Sequence, residues 1–298
     1  YGSFIPCAGS KNTIGGESKA MKKSRKQRNI VKFRLVVFAS LAGLLILFSL
    51  FSDKLCPMDP YLQDLSNAKA APSFVHPLGT DRYGRDMLSR IIVGSKTSIF
   101  STLLLVTFIS VFGSMIGLIC GWFENKIDVI LMRIADMFLA FPGLVFALAV
   151  AAVLGGGLQN AIIALAAISW PKYARLARSQ TLTQKKATYI KAARLAGDSD
   201  WKLIVRHILP NIMGPILVTA VLDIGTMMME LAGLSFLGLG AKPPIAEWGS
   251  MMSETRNLLT TQPWVTLSPG IAIFISVVIF NLFGEAVRDW LDPKNGRS

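Results

Sequence analysis

The chain has 298 residues, 52% of them hydrophobic and only 16% charged, with a mean hydropathy of +0.49; a soluble domain carries roughly a quarter charged residues. The shortfall is concentrated in apolar runs long enough to cross a bilayer, which excludes an ordinary soluble domain. The formal net charge of +13 does not point to nucleic acid. Nine Lys/Arg lie between Lys11 and Arg34 and nine between Lys172 and Arg206, flanking apolar runs as orienting charges do, and no aromatic-rich basic groove accompanies them.

The chain opens on Tyr1, and residues 1 to 20 are rich in Gly and Ser with no apolar period, which predicts disorder. Met21 followed by KKSRKQR reads as a natural start, with the preceding residues as an extension. Residues 1–32 are expected to form a disordered basic cytoplasmic tail. An all-α chain with six spans follows. The first covers 33–52 around the run Phe33–Phe51, which is too long for a signal-peptide core and lacks a small-residue cleavage site. A five-helix core over 99–290 holds the others: Ile99–Trp122, Ile127–Leu154, Leu158–Leu176, Ile212–Leu239 and Val265–Val287. Residues 291–298 form a short tail, and no internal repeat is visible.

Twenty-two Lys/Arg fall in the N-terminal tail, the turn near Lys126, the 172–210 loop and the C-terminal tail, against eight in the two opposite loops. Basic residues mark the cytoplasmic side, so both termini are expected there, in a multi-pass protein of the cell membrane. The external loop 53–98 contains Pro57, Pro60, Pro72 and Pro77 and cannot be helical throughout. From Arg85 to Ser98 the pattern turns helical, as an interfacial approach to the second span.

Catalytic chemistry is hard to place. There is no GxSxG, HExxH or GxxxxGK[ST], so the chain should not hydrolyse ATP. Gly155-Gly156-Gly157 reads as a tight turn between the third and fourth spans. Cys7, Cys56 and Cys120 share no metal spacing with one another or with His76 and His207, so neither a metal site nor a disulfide framework is expected.

Polar groups inside the spans stand out, because a charge at a helix centre costs roughly 2.5 to 3.5 kcal/mol on insertion. Arg133 and Asp136 lie three apart in the third span and are placed to pair. Asp128 sits near its cytoplasmic end. Asp223 and Glu230 share a face of the fifth span, and Asn281 and Glu285 lie four apart in the sixth. Two readings stand: Asp223, Glu230, Arg133, Asp136 and Met227 line a translocation path, or the acids pair with Arg133 or with a neighbouring subunit. Met227-Met228-Met229 cannot share one helical face, which favours packing over soft-metal ligation.

Between spans four and five, the 179–211 loop predicts two short helices. Trp201, Ile204, Val205 and Ile208 make one apolar stripe, with Asp198 or Ser199 as cap and Pro210 as stop. Tyr189, Ala193 and Ala196, with Ala192 beside them, make a second, broken at Gly197. Such a pair suits an anionic membrane surface or the groove of a partner.

The residues Ala192, Ala193, Gly197, Leu209 and Pro210 resemble the cytoplasmic coupling motif of ABC importer permeases, although Lys191 replaces the usual Glu. HPLGTDRYGRDMLSR, with His76, Gly79, Thr80, Asp81, Gly84, Arg85 and Asp86, is similar to the external signature of the dipeptide/oligopeptide/nickel branch. FLGLGAKPPIAEWG and RDWLDP are similar to the same branch. The resemblance implies a type I importer permease fold and the second of two homologous permeases, somewhat nearer to nickel-type members around Leu222–Gly225. It also implies a coupling role for Tyr189, Ala192, Ala193, Gly197, Asp198, Trp201, Leu209 and Pro210. The implied partners are a second permease, two ATP-binding subunits that hold the ATP and Mg, an external binding protein and lipid, with no nucleic acid and no cofactor on this chain. A secondary carrier driven by an ion gradient is the alternative, with Asp223 and Glu230 as coupling groups.

Overall fold

A backbone removed from water must satisfy its own hydrogen bonds, and helices do this within one segment. The computed structural model describes residues 29–291. It is built from α1 (Lys11–Leu50, described from Asn29), α2 (Ser52–Leu55), α3 (Met87–Phe123), α4 (Lys126–Ala140), α5 (Gly143–Val153) and α6 (Leu158–Lys185). Then come α7 (Thr188–Leu195), α8 (Asp200–Leu203), α9 (Leu209–Phe236), α10 (Trp248–Thr255) and α11 (Pro263–Leu291). Among the described residues there is no strand. The disordered tail expected over 1–32 lies outside them except at its end, where Asn29 to Lys32 are already helical, and the 291–298 tail lies outside them beyond Leu291.

Among the described residues, four helices are long and apolar enough to cross a membrane: the described part of α1, α3, the α8–α9 rod and α11. The expected third span is not one straight helix. It breaks into α4 and α5, bent by 97°, because Pro142 lacks an N–H and holds Phe141 in an extended conformation (φ −93°, ψ 149°). Counted as one span, the pair makes a fifth. The expected fourth span, α6, is too polar to qualify by composition, and it runs on to Lys185, well past Leu176.

The packing explains how α6 is held. It lies chiefly against α3, and also against α4, α5 and α9. On α3, Gly113, Gly117 and Gly121 recur every four residues and face α6. A Cβ at Gly117 would stand 2.1 Å from the Ala174 carbonyl oxygen, and one at Gly113 2.4 Å from that of Trp170. Small residues at this spacing let two helix backbones touch, the dominant way helices associate in lipid. This glycine seam was not among the features read from the sequence.

Two rods exceed the membrane. At about 1.5 Å per residue, α3 reaches about 55 Å against a hydrocarbon core of about 30 Å. The segment 85–98 is therefore no separate interfacial piece; from Met87 it is the projecting end of α3. The second rod runs without a stop from Asp200 to Phe236, so Pro210 does not end a helix. A π-turn over Ile204–Ile208, in which the Leu209 N–H donates to the Ile204 carbonyl, widens the helix where the Pro210 ring would otherwise strike the Arg206 carbonyl. The Asn211 Nδ2 donates to the His207 carbonyl at 2.6 Å and steadies the same turn.

Candidate functional site

Three groups of side chains carry charge or unusual exposure. The first lies along the middle of α6, α9 and α4. The exposed residues in the second half of α6 are Lys172, Arg175, Ser179 and Thr183, at helical spacing and all polar. On α9, Thr219, Asp223, Thr226 and Glu230 fall at i, i+4, i+7 and i+11, a polar stripe of which sequence reading caught only the two acids.

Lys172 Nζ meets Asp223 Oδ1 at 2.5 Å, and the Tyr173 hydroxyl donates to Asp223 Oδ2 at 2.8 Å. Arg175 bonds Asp136, while Arg178 holds both oxygens of the buried Asp128 at 2.7 Å each. The expected Arg133–Asp136 pair is therefore corrected. Residues three apart on one helix compete with a partner helix, and Arg175 wins because α6 packs directly against α4. Arg133 and Glu230 have no ion-pair or hydrogen-bond partner among the described residues, so Arg133 does not neutralise Asp223 either. Met227 is buried and faces the packing. In α11, Asn281 lies against the backbone of Gly225, where its Oδ1 would be 2.3 Å from an added Cβ.

The second group is cytoplasmic in sequence pattern. Gly197 turns the chain from α7 to α8 at φ +89°, a left-handed conformation natural to glycine. Ser199, not Asp198, caps α8 by accepting the Lys202 N–H. Asp198 instead meets Lys202 and His207 Nε2, the latter at 3.5 Å, and the Lys202 hydrogen bond holds its carboxyl below the usual carboxylate range. The expected stripes are only half right. Ile190, Leu203, Ile204 and Ile208 face inward, Ala193 is half-buried, and Tyr189, Ala192, Ala196, Trp201 and Val205 face out. Trp201 and Val205, four apart, share one exposed face, while Leu203, Ile204 and Ile208 make the buried one. Trp201 is 74% exposed and Leu195 89%, so the arm presents large apolar side chains that nothing among the described residues covers. It is braced from behind by Trp122, whose ring lies 5.3 Å from the Arg194 guanidinium and 5.6 Å from Lys185 Nζ.

The third group gathers the external signature around the projecting end of α3. Asp86 caps α3 by accepting the Ser89 N–H at 2.8 Å, and His76 Nδ1 lies 3.0 Å from the same carboxylate. Asp81 bonds Arg85 Nε at 2.6 Å, and Arg85 reaches Glu254 at 2.7 Å. Buried Arg90 stands 4.0 Å from both acids. Thr80 bridges to Asp86, and the Thr80 hydroxyl donates to the Asn67 carbonyl. Gly79 and Gly84 are left-handed, at φ +72° and +74°, and a Cβ on Gly84 would stand 1.7 Å from the Asp64 carbonyl oxygen.

Beside this cluster Glu247 caps α10, accepting the Gly249 and Ser250 N–H groups at 2.9 and 2.8 Å. Burial pushes its carboxyl up while those two donors pull it down. The Trp248 indole donates to the Ile91 carbonyl at 2.9 Å and pins α10 to α3. Glu247→Ala strips a buried cap and leaves two N–H groups unpaired, so a loss of about 2 kcal/mol is expected. Thermal unfolding of the detergent-solubilised protein checks it, with Glu247→Gln, which keeps one acceptor, falling between.

Residues 113–297 match the family of binding-protein-dependent transport system inner membrane components. The chain is 44% identical over 261 residues to the probable D,D-dipeptide transport system permease protein of Escherichia coli, covering 88% of each chain. It is 41% identical to a glutathione transport system permease protein of Pectobacterium atrosepticum, covering 90% of this chain and 89% of the relative. A dipeptide transport system permease protein of Alkalihalophilus pseudofirmus is 39% identical, with 91% and 88% covered. The chain belongs to this permease family.

It is the C-type permease subunit of an ABC importer, a transport subunit and not itself an ATPase. The secondary-carrier reading is not favoured. The expected nearness to nickel-type permeases is not confirmed, since the relatives carry peptide names. Among the described residues no group of three His, Cys, Asp or Glu is placed to hold a metal ion.

Proposed function

We propose that this permease forms half of a path for short peptides, in a complex with a second homologous permease, two ATP-binding subunits and an external binding protein. The ATP and its Mg belong to the ATP-binding subunits. Both termini and the α7–α8 arm lie in the cytoplasm of a lipid-embedded chain, and the external cluster faces the binding protein. The polar face of α4, α6 and α9 lines the path, because exposed charges this deep are costly against lipid and are tolerated beside water.

One observation carries the reading. The rod Asp200–Phe236 holds the exposed Trp201 at one end and the polar face with Asp223 in its middle. An ATPase that grips α7 and α8 therefore moves the wall of the path directly, with no flexible joint between. Alternating access follows when the ATPase pair closes and opens.

The test is ATP-dependent uptake of a labelled dipeptide, set against nickel, by the assembled complex in proteoliposomes. Trp201→Ala should lower coupled uptake about tenfold, as removal of an interface tryptophan does, with unchanged thermal stability of the permease. Full uptake by that variant, or uptake of nickel in place of peptide, would overturn the reading.

A further inference from the structure

Arg133, Arg175 and Lys172 are the exposed cations of the polar face, and Lys172 is the one seated against the buried Asp223. Lys172 lies at the middle of α6, and its ammonium meets Asp223 at 2.5 Å. The two partners are unequal. The Asp223 side chain is 7% exposed and keeps a second bond from the Tyr173 hydroxyl, whereas the Lys172 side chain is 51% exposed. An ammonium has three donors and can bond Asp223 while offering the others to the open side. Its neighbours on α6 are paired as well: Arg178 with both oxygens of Asp128, and Arg175 with Asp136 by one bond. Glu230, two turns further along the same face of α9, has no ion-pair or hydrogen-bond partner among the described residues. The face thus offers a cation at its middle and a free acid about 10 Å along the rod, which matches a zwitterion lying along it.

We propose that Lys172 is the carboxylate-binding group of the path, which takes the C-terminal carboxylate of the passing peptide while Asp223, held by Tyr173, keeps the lysine in place. This rests on the peptide-import reading above. The chemistry favours a lysine here, since a compact ammonium on a flexible stem gives a carboxylate a point charge it can leave, whereas a bidentate guanidinium holds more firmly. A transport site needs both capture and release.

The experiment compares uptake of Ala-Ala with uptake of Ala-Ala amide by the whole complex in proteoliposomes, normalised to permease present. Any preference set by the external binding protein is common to all variants and cancels when the ratios are compared. In the unaltered complex the free acid should be preferred, and Lys172→Met should reduce that preference about tenfold, the weight of one charge-assisted hydrogen bond. Asp223→Asn should lower total uptake yet keep the preference, because the lysine remains. Lys172→Arg should keep it too, and Lys172→Gln replaces Lys172→Met if the latter fails to accumulate.

If Lys172→Met and Asp223→Asn lose both peptides in equal proportion, the pair is only a strut and the proposal falls. It also falls if Lys172→Met keeps the preference, or if the unaltered complex has none. A complex that imports neither peptide would instead overturn the proposed function itself.

Discussion

Replacing Gly117 with leucine is expected to remove folded permease from the membrane. The Cβ would stand 2.1 Å from the Ala174 carbonyl oxygen and 2.8 Å from its carbon, so it meets backbone and not a movable side-chain tip. Gly113 and Gly121 close the same seam on either side, and relief at one position opens the others. Ordinary overpacking of a core costs about 1 to 3 kcal/mol; here two helix backbones must part, against a total stability of about 5 to 15 kcal/mol.

The consequence exceeds the local clash because α6 is too polar to sit in lipid alone. Lys172, Arg175 and Arg178 are neutralised by Asp223, Asp136 and Asp128 from α9 and α4, and these pairings hold only while α6 stays docked. Size-exclusion chromatography of a fluorescent fusion reads the outcome, with Gly117→Ala intermediate. Gly43→Leu serves as control, since no atom lies within 4 Å of a Cβ there. A monodisperse Gly117→Leu peak of normal height would refute the close-packed seam.

That seam shows what could and could not be read from the chain. Apolar runs are a one-dimensional signal, so the spans of α1, α3, α9 and α11 were legible, whereas the full count of six was not confirmed. The glycines at 113, 117 and 121 were also visible at a spacing of four, yet spacing alone does not say which helix they meet. The pairs of the polar face are less accessible still. Arg178 and Asp128 are 50 residues apart and Lys172 and Asp223 are 51 apart, whereas sequence spacing offered only Arg133 and Asp136, neighbours on one helix.

The misread stripes have a different cause. Periodicity groups positions onto one side without saying how wide the buried face is, and here Ile204 and Ile208 turn inward while Trp201 and Val205, on the adjoining edge, stay exposed. The π-turn at Ile204–Ile208 then ends just before Pro210. The same proline, read as a stop, marks where the helix adapts and continues. Pro142 shows the opposite outcome, since no widened turn relieves it and the helix breaks there. A proline inside an apolar run therefore left two outcomes open, and only the packing decided between them.

Gly197→Arg should leave the permease folded and inserted while cutting uptake by more than about tenfold, the scale of losing a central interface contact. The argument separates two costs. Backbone strain is common to all side chains at φ +89°, at about 1 to 2 kcal/mol for a left-handed L-residue. Nothing among the described residues lies within 4 Å of an added Cβ, so none of them clashes with it. Gly197→Ala therefore measures strain alone, and the difference between alanine and arginine measures what docks against the turn. If an ATPase subunit sits there, with Trp201 and Tyr189 exposed on either side, the arginine chain must enter its groove and the two variants will diverge. ATP hydrolysis by the assembled complex should then persist while peptide uptake per ATP falls, because the ATPases still close but grip the rod poorly. Thermal stability of the two purified permeases should agree within about 1 kcal/mol, since they share the strain. Equal uptake by alanine and arginine variants would show that the turn faces open cytoplasm and that the force enters the rod elsewhere.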